Sequence, residues 1–183
     1  MDYSKMKIPR HVGIVVDGNG RWAESDGKIR SYGHKVGAEN LEKLSRYILK
    51  ETGVEVLSVY VFSTENFKRS TEEVDYLMNL FTKKFKSDAK IYKKENIKVV
   101  FSGRREPLKE EVLKTIDEIT EMTKNNTGGI LNFCLNYGGH SEIVDATLKI
   151  HQDLIKGIIK EEEVNESLYE HYLYQDLPPI DFL

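Results

Sequence analysis

Apolar residues recur along this chain with two different spacings, and polar turns punctuate them. Val12-Gly13-Ile14-Val15-Val16 is a β-branched run stopped by Asp17-Gly18-Asn19-Gly20, which predicts a buried strand entering a tight turn. Over residues 35–52, Val36, Leu41, Leu44, Ile48 and Leu49 recur at helical spacing, and Gly53 stands where a left-handed helix cap belongs. Residues 54–62 predict a second buried strand that ends at Ser63-Thr64-Glu65-Asn66.

Ser70-Thr71-Glu72-Glu73 matches a capping box, Ser70 accepting from the backbone and Glu73 reaching back. The long helix it opens sets Val74, Leu77, Met78, Phe81, Phe85 and Tyr92 on one face, opposite a lysine face at positions 83, 84, 86, 90, 93 and 94. Residues 97–101 predict a third strand, Pro107 starts a helix to about Thr123, and residues 130–135 form a fourth strand. A helix over 141–158 and a short one capped by Asn165 follow, and residues 177–183 read as a turn entering a fifth strand.

Strands alternating with helices of this size imply an α/β fold, a mostly parallel central sheet with helices on both faces. At 183 residues, without internal repeat or linker, the expectation is a single domain over 1–183. Hydrophobic residues make up 39% of the chain, enough for a real core, which excludes global disorder. Twenty-seven basic against 30 acidic residues give a net charge of −3, so the charge field of a nucleic-acid binder is missing. The lone cysteine, Cys134, lies in an apolar run and reads as a buried thiol in a reducing compartment. The first ten residues carry no leader core, and no uncharged run approaches the ~18 residues of a membrane span; the expected location is the cytoplasm.

Polar residues crowd the ends of strands, where ligands of parallel sheets bind. Around Gly18 and Gly20, backbone N–H groups can converge on an anion, and Arg21 adds positive charge. Asp17 has the wrong sign for phosphate but suits Mg²⁺ held jointly with phosphate oxygens. Arg30 and His34 can clamp the same phosphates from the loop that follows. Taken alone, Asp-Gly-Asn-Gly is also an ordinary turn, His34 a surface histidine, and Trp22 a packing residue. Gly18, Gly20 and Ala23 also satisfy the dinucleotide fingerprint, yet Ser25-Asp26-Gly27-Lys28 interrupts the helix it needs, and Glu39 and Glu42 fall within a helix rather than ending a strand. No phosphate-loop motif of nucleoside triphosphatases is present in the sequence.

Four blocks in register resemble the signatures of the cis-prenyltransferases, above all bacterial undecaprenyl diphosphate synthases. They are residues 11–22, Gly33-His34-Lys35-Val36-Gly37, residues 60–69 (Tyr60 to Arg69) and Asn136-Tyr137-Gly138-Gly139. The resemblance implies head-to-tail condensation of isopentenyl diphosphate with an allylic diphosphate such as farnesyl diphosphate, each new double bond being cis. It implies that Asp17 binds Mg²⁺ and assists departure of the allylic diphosphate. Gly18, Asn19, Gly20, Arg21 and Trp22, with Arg30 and His34, would hold that diphosphate. Asn66 would serve proton removal or positioning, with Ser63, Thr64, Glu65, Phe67 and Arg69 beside it.

It further implies a homodimer and peripheral membrane contact through a lipid-carrier product. Val74, Leu77, Met78, Phe81 and Phe85 would wall a product tunnel or simply form core. Phe67 replaces a common tryptophan and Ser70 a common proline, while the arginine- and serine-bearing block that binds isopentenyl diphosphate does not follow residue 183. The expectation is therefore a C-terminally incomplete domain, with a non-catalytic prenyl-diphosphate-binding subunit as the alternative and a dinucleotide oxidoreductase behind both.

Overall fold

The computed structural model describes residues 7–183; residues 1–6, part of the stretch read as lacking a leader core, lie outside them. The first β-branched run forms β1 (His11–Val15). The chain then turns at Gly18, whose φ of +87° is costly for any residue with a Cβ, into the short helix α1 (Asn19–Ser25). There follow α2 (Arg30–Glu51), β2 (Val56–Ser63), a 3₁₀ turn (Thr64–Lys68) and α3 (Thr71–Lys94). The second half holds β3 (Lys98–Ser102), α4 (Glu110–Thr123), β4 (Ile130–Tyr137), α5 (Gly139–Ile155) and α6 (Glu166–His171).

The four strands pair in parallel in the order β1-β2-β4-β3, as the alternation of strands and helices predicts. Register sets Val12 beside Leu57, Leu57 beside Leu131, and Leu131 beside Val99. Leu57, Val59, Leu131, Phe133 and Val99 join Leu49 of α2, Leu77 and Phe85 of α3, and Val112 and Ile119 of α4 in one buried core. Strand side chains alternate between faces, so the intervening residues point the other way. There a buried polar seam crosses all four strands: the His11 ring meets Ser58 Oγ at 2.7 Å, Asn132 Nδ2 donates to Ser58 Oγ at 3.0 Å, and Ser102 Oγ donates to Asn132 Oδ1 at 2.9 Å. Cys134 is buried and free, as its apolar run implies.

Several boundaries differ from the sequence pattern for identifiable reasons. The second helix begins at Arg30, not Lys35, because Gly33 and Gly37 are packed under α1 and tertiary contact overrides glycine's poor helix propensity. Pro107 lies in a turn closed by Leu108 N–H on the Arg105 carbonyl at 2.8 Å, and α4 starts later, at Glu110. Ser70 Oγ does accept from Glu73 N–H at 3.2 Å, but the Glu73 side chain is engaged by Arg69 and leaves the expected box half formed. The terminal run makes a single bridge, Phe182 with Val12, on the open edge of β1, with Gly13 N–H donating to the Phe182 carbonyl at 2.7 Å.

Candidate active site

The exits of β1 and β2, the starts of α1 and α2 and the length of α3 from Leu77 to Tyr92 surround one cavity of about 240 Å³. Asp17, Gly18, Asn19, Gly20, Arg21, Arg30, His34, Ser63, Asn66 and Arg69 all line it. Beyond this polar mouth most of the wall is apolar, with Leu41, Val61, Phe62, Leu77, Leu80, Phe81, Phe85 and Phe133, and Glu42, Lys84 and Asp88 also line it. A polar mouth opening into an apolar pocket suits an amphiphile with an anionic head and a hydrocarbon tail.

Each mouth residue has a local cause. α1 has no side-chain cap at its start, so Gly18 hands the chain straight into a helix whose first N–H groups lie at the cavity wall. Asp17 Oδ1 accepts from Gly18 N–H at 2.6 Å and Oδ2 from Arg21 at 3.1 Å, while the carboxylate stays largely exposed. Arg30 and His34 project from the first turns of α2, a correction to the loop position read from the sequence. A Cβ on Gly20 would stand 3.0 Å from the Arg30 guanidinium, so glycine there lets Arg30 lie against the turn. Ser63 and Asn66 form a reciprocal cap: Asn66 Oδ1 accepts from Ser63 N–H at 3.0 Å, and Ser63 Oγ accepts from Asn66 N–H at 3.2 Å. The Asn66 Nδ2 donor is the half of that amide left for a ligand.

Glu73 is the functional candidate that pattern reading assigned elsewhere. Its carboxylate lies 2.9 Å from Arg69, 3.5 Å from His34 and 3.7 Å from Arg30. The available signal was the spacing of four between Arg69 and Glu73, an ion-pair spacing on a helix. Burial works to raise the Glu73 pKa, but Arg69, Arg30 and His34 outweigh it and hold it below the ordinary carboxylate value. Burial lowers the His34 pKa, with Glu73 opposing. The His34 Nε2 atom is buried without a hydrogen-bond partner.

Four sequence candidates do not line the cavity: Trp22, Thr64, Glu65 and Phe67. Trp22 is half exposed and stacks on Tyr32 with ring centroids 6.2 Å apart, and Phe67 packs edge-on against Phe62. Of the proposed tunnel wall, Leu77, Phe81 and Phe85 line the cavity, whereas Val74 and Met78 pack in the core.

Among the described residues, no group of three or more acidic, histidine or cysteine side chains gathers as a metal cage. One exposed carboxylate, Asp17, beside a glycine turn at the cavity wall would fit a different arrangement, a Mg²⁺ ion completed by phosphate oxygens of a ligand and water.

Fold and site together define a parallel α/β protein with a polar-mouthed cavity whose shape and lining would suit an anionic head and an apolar tail. A family model described as "Putative undecaprenyl diphosphate synthase" matches residues 15–183, and the chain belongs to that family of prenyltransferases. It is similar to an isoprenyl transferase of Fusobacterium nucleatum, 43% identical over 176 residues that span 96% of this chain and 74% of the relative. An isoprenyl transferase of Streptococcus mutans is 42% identical over 172 residues, 94% of this chain and 69% of the relative. Among solved structures, lavandulyl diphosphate synthase from Lavandula x intermedia, in complex with dimethylallyl diphosphate, aligns with a TM-score of 0.85 at 30% identity, over 91% of this chain and 71% of that one. A probable undecaprenyl diphosphate synthase from Campylobacter jejuni shares the fold, with a TM-score of 0.69 at 23% identity over 94% of this chain and 72% of that one.

Proposed function

We propose that the chain joins isopentenyl diphosphate to an allylic diphosphate such as farnesyl diphosphate, in a Mg²⁺-dependent condensation that builds a cis-polyprenyl diphosphate. The observation that carries this is one cavity with Asp17, Arg21, Arg30, His34 and Arg69 at its mouth and a phenylalanine-rich wall behind. Asp17 would hold Mg²⁺ together with the diphosphate, and the ion would supply charge neutralisation for the leaving group. The arginines and His34 bind and orient the departing diphosphate, a charge that grows as the carbon–oxygen bond breaks. Leu77, Phe81 and Phe85 exclude water from the allylic carbons, which would otherwise be hydrolysed. Asn66 positions the second reactant through its amide, while Ser63 holds that amide in place.

We read residues 7–183 as one domain, since strands and helices share one core. Homodimer formation, a cytoplasmic location and peripheral contact with anionic lipid belong to the same reading. Exposed Lys83, Lys86, Lys90, Lys93 and Lys94 on α3 support the lipid contact. No helix among the described residues is long and apolar enough to cross a membrane.

The test is transfer of labelled isopentenyl diphosphate onto farnesyl diphosphate by the purified chain, with and without Mg²⁺. Metal-dependent elongation that Asp17→Ala abolishes supports the reading. A chain that binds the allylic diphosphate without elongating it is instead the non-catalytic binding subunit.

A further inference from the structure

Every arginine at the mouth of the cavity is engaged by a carboxylate of the chain itself. Arg21 pairs with Asp17 at 3.1 Å, Arg30 with Glu24 at 3.0 Å, and Arg69 with Glu73 at 2.9 Å. The three acids differ in kind. Asp17 and Glu24 are 72% and 50% exposed, whereas Glu73 is 24% exposed and is alone in reaching three basic groups. It does so at the expense of a local partner, because a Glu three residues after the capping Ser70 can turn back to the Ser70 N–H. Here only the Ser70 half of that exchange forms.

Two guanidiniums converging on one half-buried point repel one another unless an anion sits among them, and the His34 ring turns toward the same point. Glu73, which does not itself line the cavity, supplies that anion from within the chain by drawing on the same three side chains that do line it. Its hold is incomplete: the Arg30 and His34 approaches are longer than hydrogen bonds, and His34 Nε2 is left unsatisfied. A diphosphate, with several charges and more acceptor oxygens, outcompetes one carboxylate for the same donors.

We propose that Glu73 is an internal counter-anion that competes with diphosphate for Arg30, His34 and Arg69. It keeps these groups gathered while no ligand is bound and re-engages them as diphosphate leaves, so that the site binds its anion less tightly than bare cations would. The proposal rests on the reading of this cavity as a diphosphate site, and it makes Glu73 a positioning residue that acts through its three basic neighbours.

The experiment is calorimetric titration of inorganic diphosphate, with and without Mg²⁺, into the wild-type chain, Glu73→Gln and Glu73→Ala, and it needs no turnover. Both variants keep the backbone N–H that caps on Ser70, and Glu73→Gln also keeps the side-chain volume. Removing the competing charge is expected to tighten diphosphate binding by about tenfold in both variants. Where Glu73→Ala lowers the unfolding temperature, Glu73→Gln carries the comparison. A purely structural Glu73 gives the opposite sign, weaker binding as the arginines disperse; equal or weaker binding in the folded variants overturns the proposal. Wild type that binds while the variants fail to tighten overturns the counter-anion role and leaves the diphosphate site standing. If neither wild type nor variant binds diphosphate, the site reading falls, and the proposal with it.

Discussion

A Cβ placed on Gly33 would lie 1.9 Å from the carbonyl oxygen of Asn19. The start of α1 thus rests directly on the backbone of α2, and this contact brings the Gly18–Gly20 turn over Arg30 and His34. Gly37, one turn further on, is crowded by the Asn19 side chain instead, at 2.6 Å.

Backbone cannot yield as a side chain can, so Gly33→Ala is expected to destabilise by about 3 kcal/mol, lowering the melting temperature by about 10 °C. Gly37→Ala should cost less, because the Asn19 amide can rotate away. Gly139→Ala, on the first turn of α5 with no atom within 4 Å of the new methyl, should be neutral or stabilising by about 0.5 kcal/mol. Thermal unfolding of the three variants checks the order. Gly33→Ala melting with wild type would mean that α1 does not pack as described.

The polar seam makes a second prediction. Among the described residues, Asn132 alone bonds both Ser58 and Ser102, and it is 4% exposed. Asn132→Leu strands the Ser102 hydroxyl and strips Ser58 of one partner, for a cost of about 2–3 kcal/mol in urea unfolding. Adding Ser102→Ala removes the stranded group and should recover about 1 kcal/mol. Strict additivity of the two substitutions would show that the seam is not a connected network.

What could be read in advance follows from where each signal comes from. The strands stood out because a parallel sheet buries both faces and makes short apolar runs, and the turn after Val16 stood out because Gly18 has no alternative at φ +87°. The start of α2 did not, since Gly33 and Gly37 look like helix breakers until α1 is laid across them. Glu73 was legible as half of a capping pair, and only the three-dimensional convergence of Arg30, His34 and Arg69 shows a stronger claim on its carboxylate. Trp22, Thr64, Glu65 and Phe67 share blocks with cavity residues yet lie off the cavity, because proximity in sequence at a strand exit does not fix which way a side chain faces.

Phe81 and Phe85 separate tail recognition from stability. Phe85 is 6% exposed and touches the rings of Phe81, Phe101 and Phe133, with centroids 4.8–5.9 Å away, so Phe85→Ala should cost about 4 kcal/mol. Phe81 is only half buried at the wall, and its loss should cost about 2 kcal/mol. Phe81→Ala is further expected to weaken binding of farnesyl diphosphate by about tenfold while leaving inorganic diphosphate unchanged. Parallel losses for both ligands would place Phe81 at the head rather than along the tail.

Burial pushes the Cys134 thiol pKa up to about 12, so the native protein carries almost no thiolate at pH 8. Its reaction with an aromatic disulfide reagent should be at least a hundredfold slower folded than in urea. Prompt native labelling would show that the sheet opens around β4 on the assay timescale.

Asp145 couples the end of the chain to α5 in a pH-dependent way. Arg104 donates to both of its carboxylate oxygens, at 2.8 and 2.9 Å, and the Tyr174 hydroxyl donates at 2.5 Å. Hydrogen bonds from Arg104 first, and then from Tyr174, hold its pKa down at about 2. A carboxyl depressed in the folded state adds stability above its unfolded value near 4, and that stability drains away as pH falls through about 2. Arg104 is 42% exposed, so solvent screening reduces the contribution to about 1 kcal/mol. Asp145→Asn should therefore be less stable than wild type by about 1 kcal/mol at pH 7, with the gap closing between about pH 4 and pH 2. A gap that persists unchanged at pH 2 would mean that the loss is one of packing around Tyr174 and not of the carboxylate's charge.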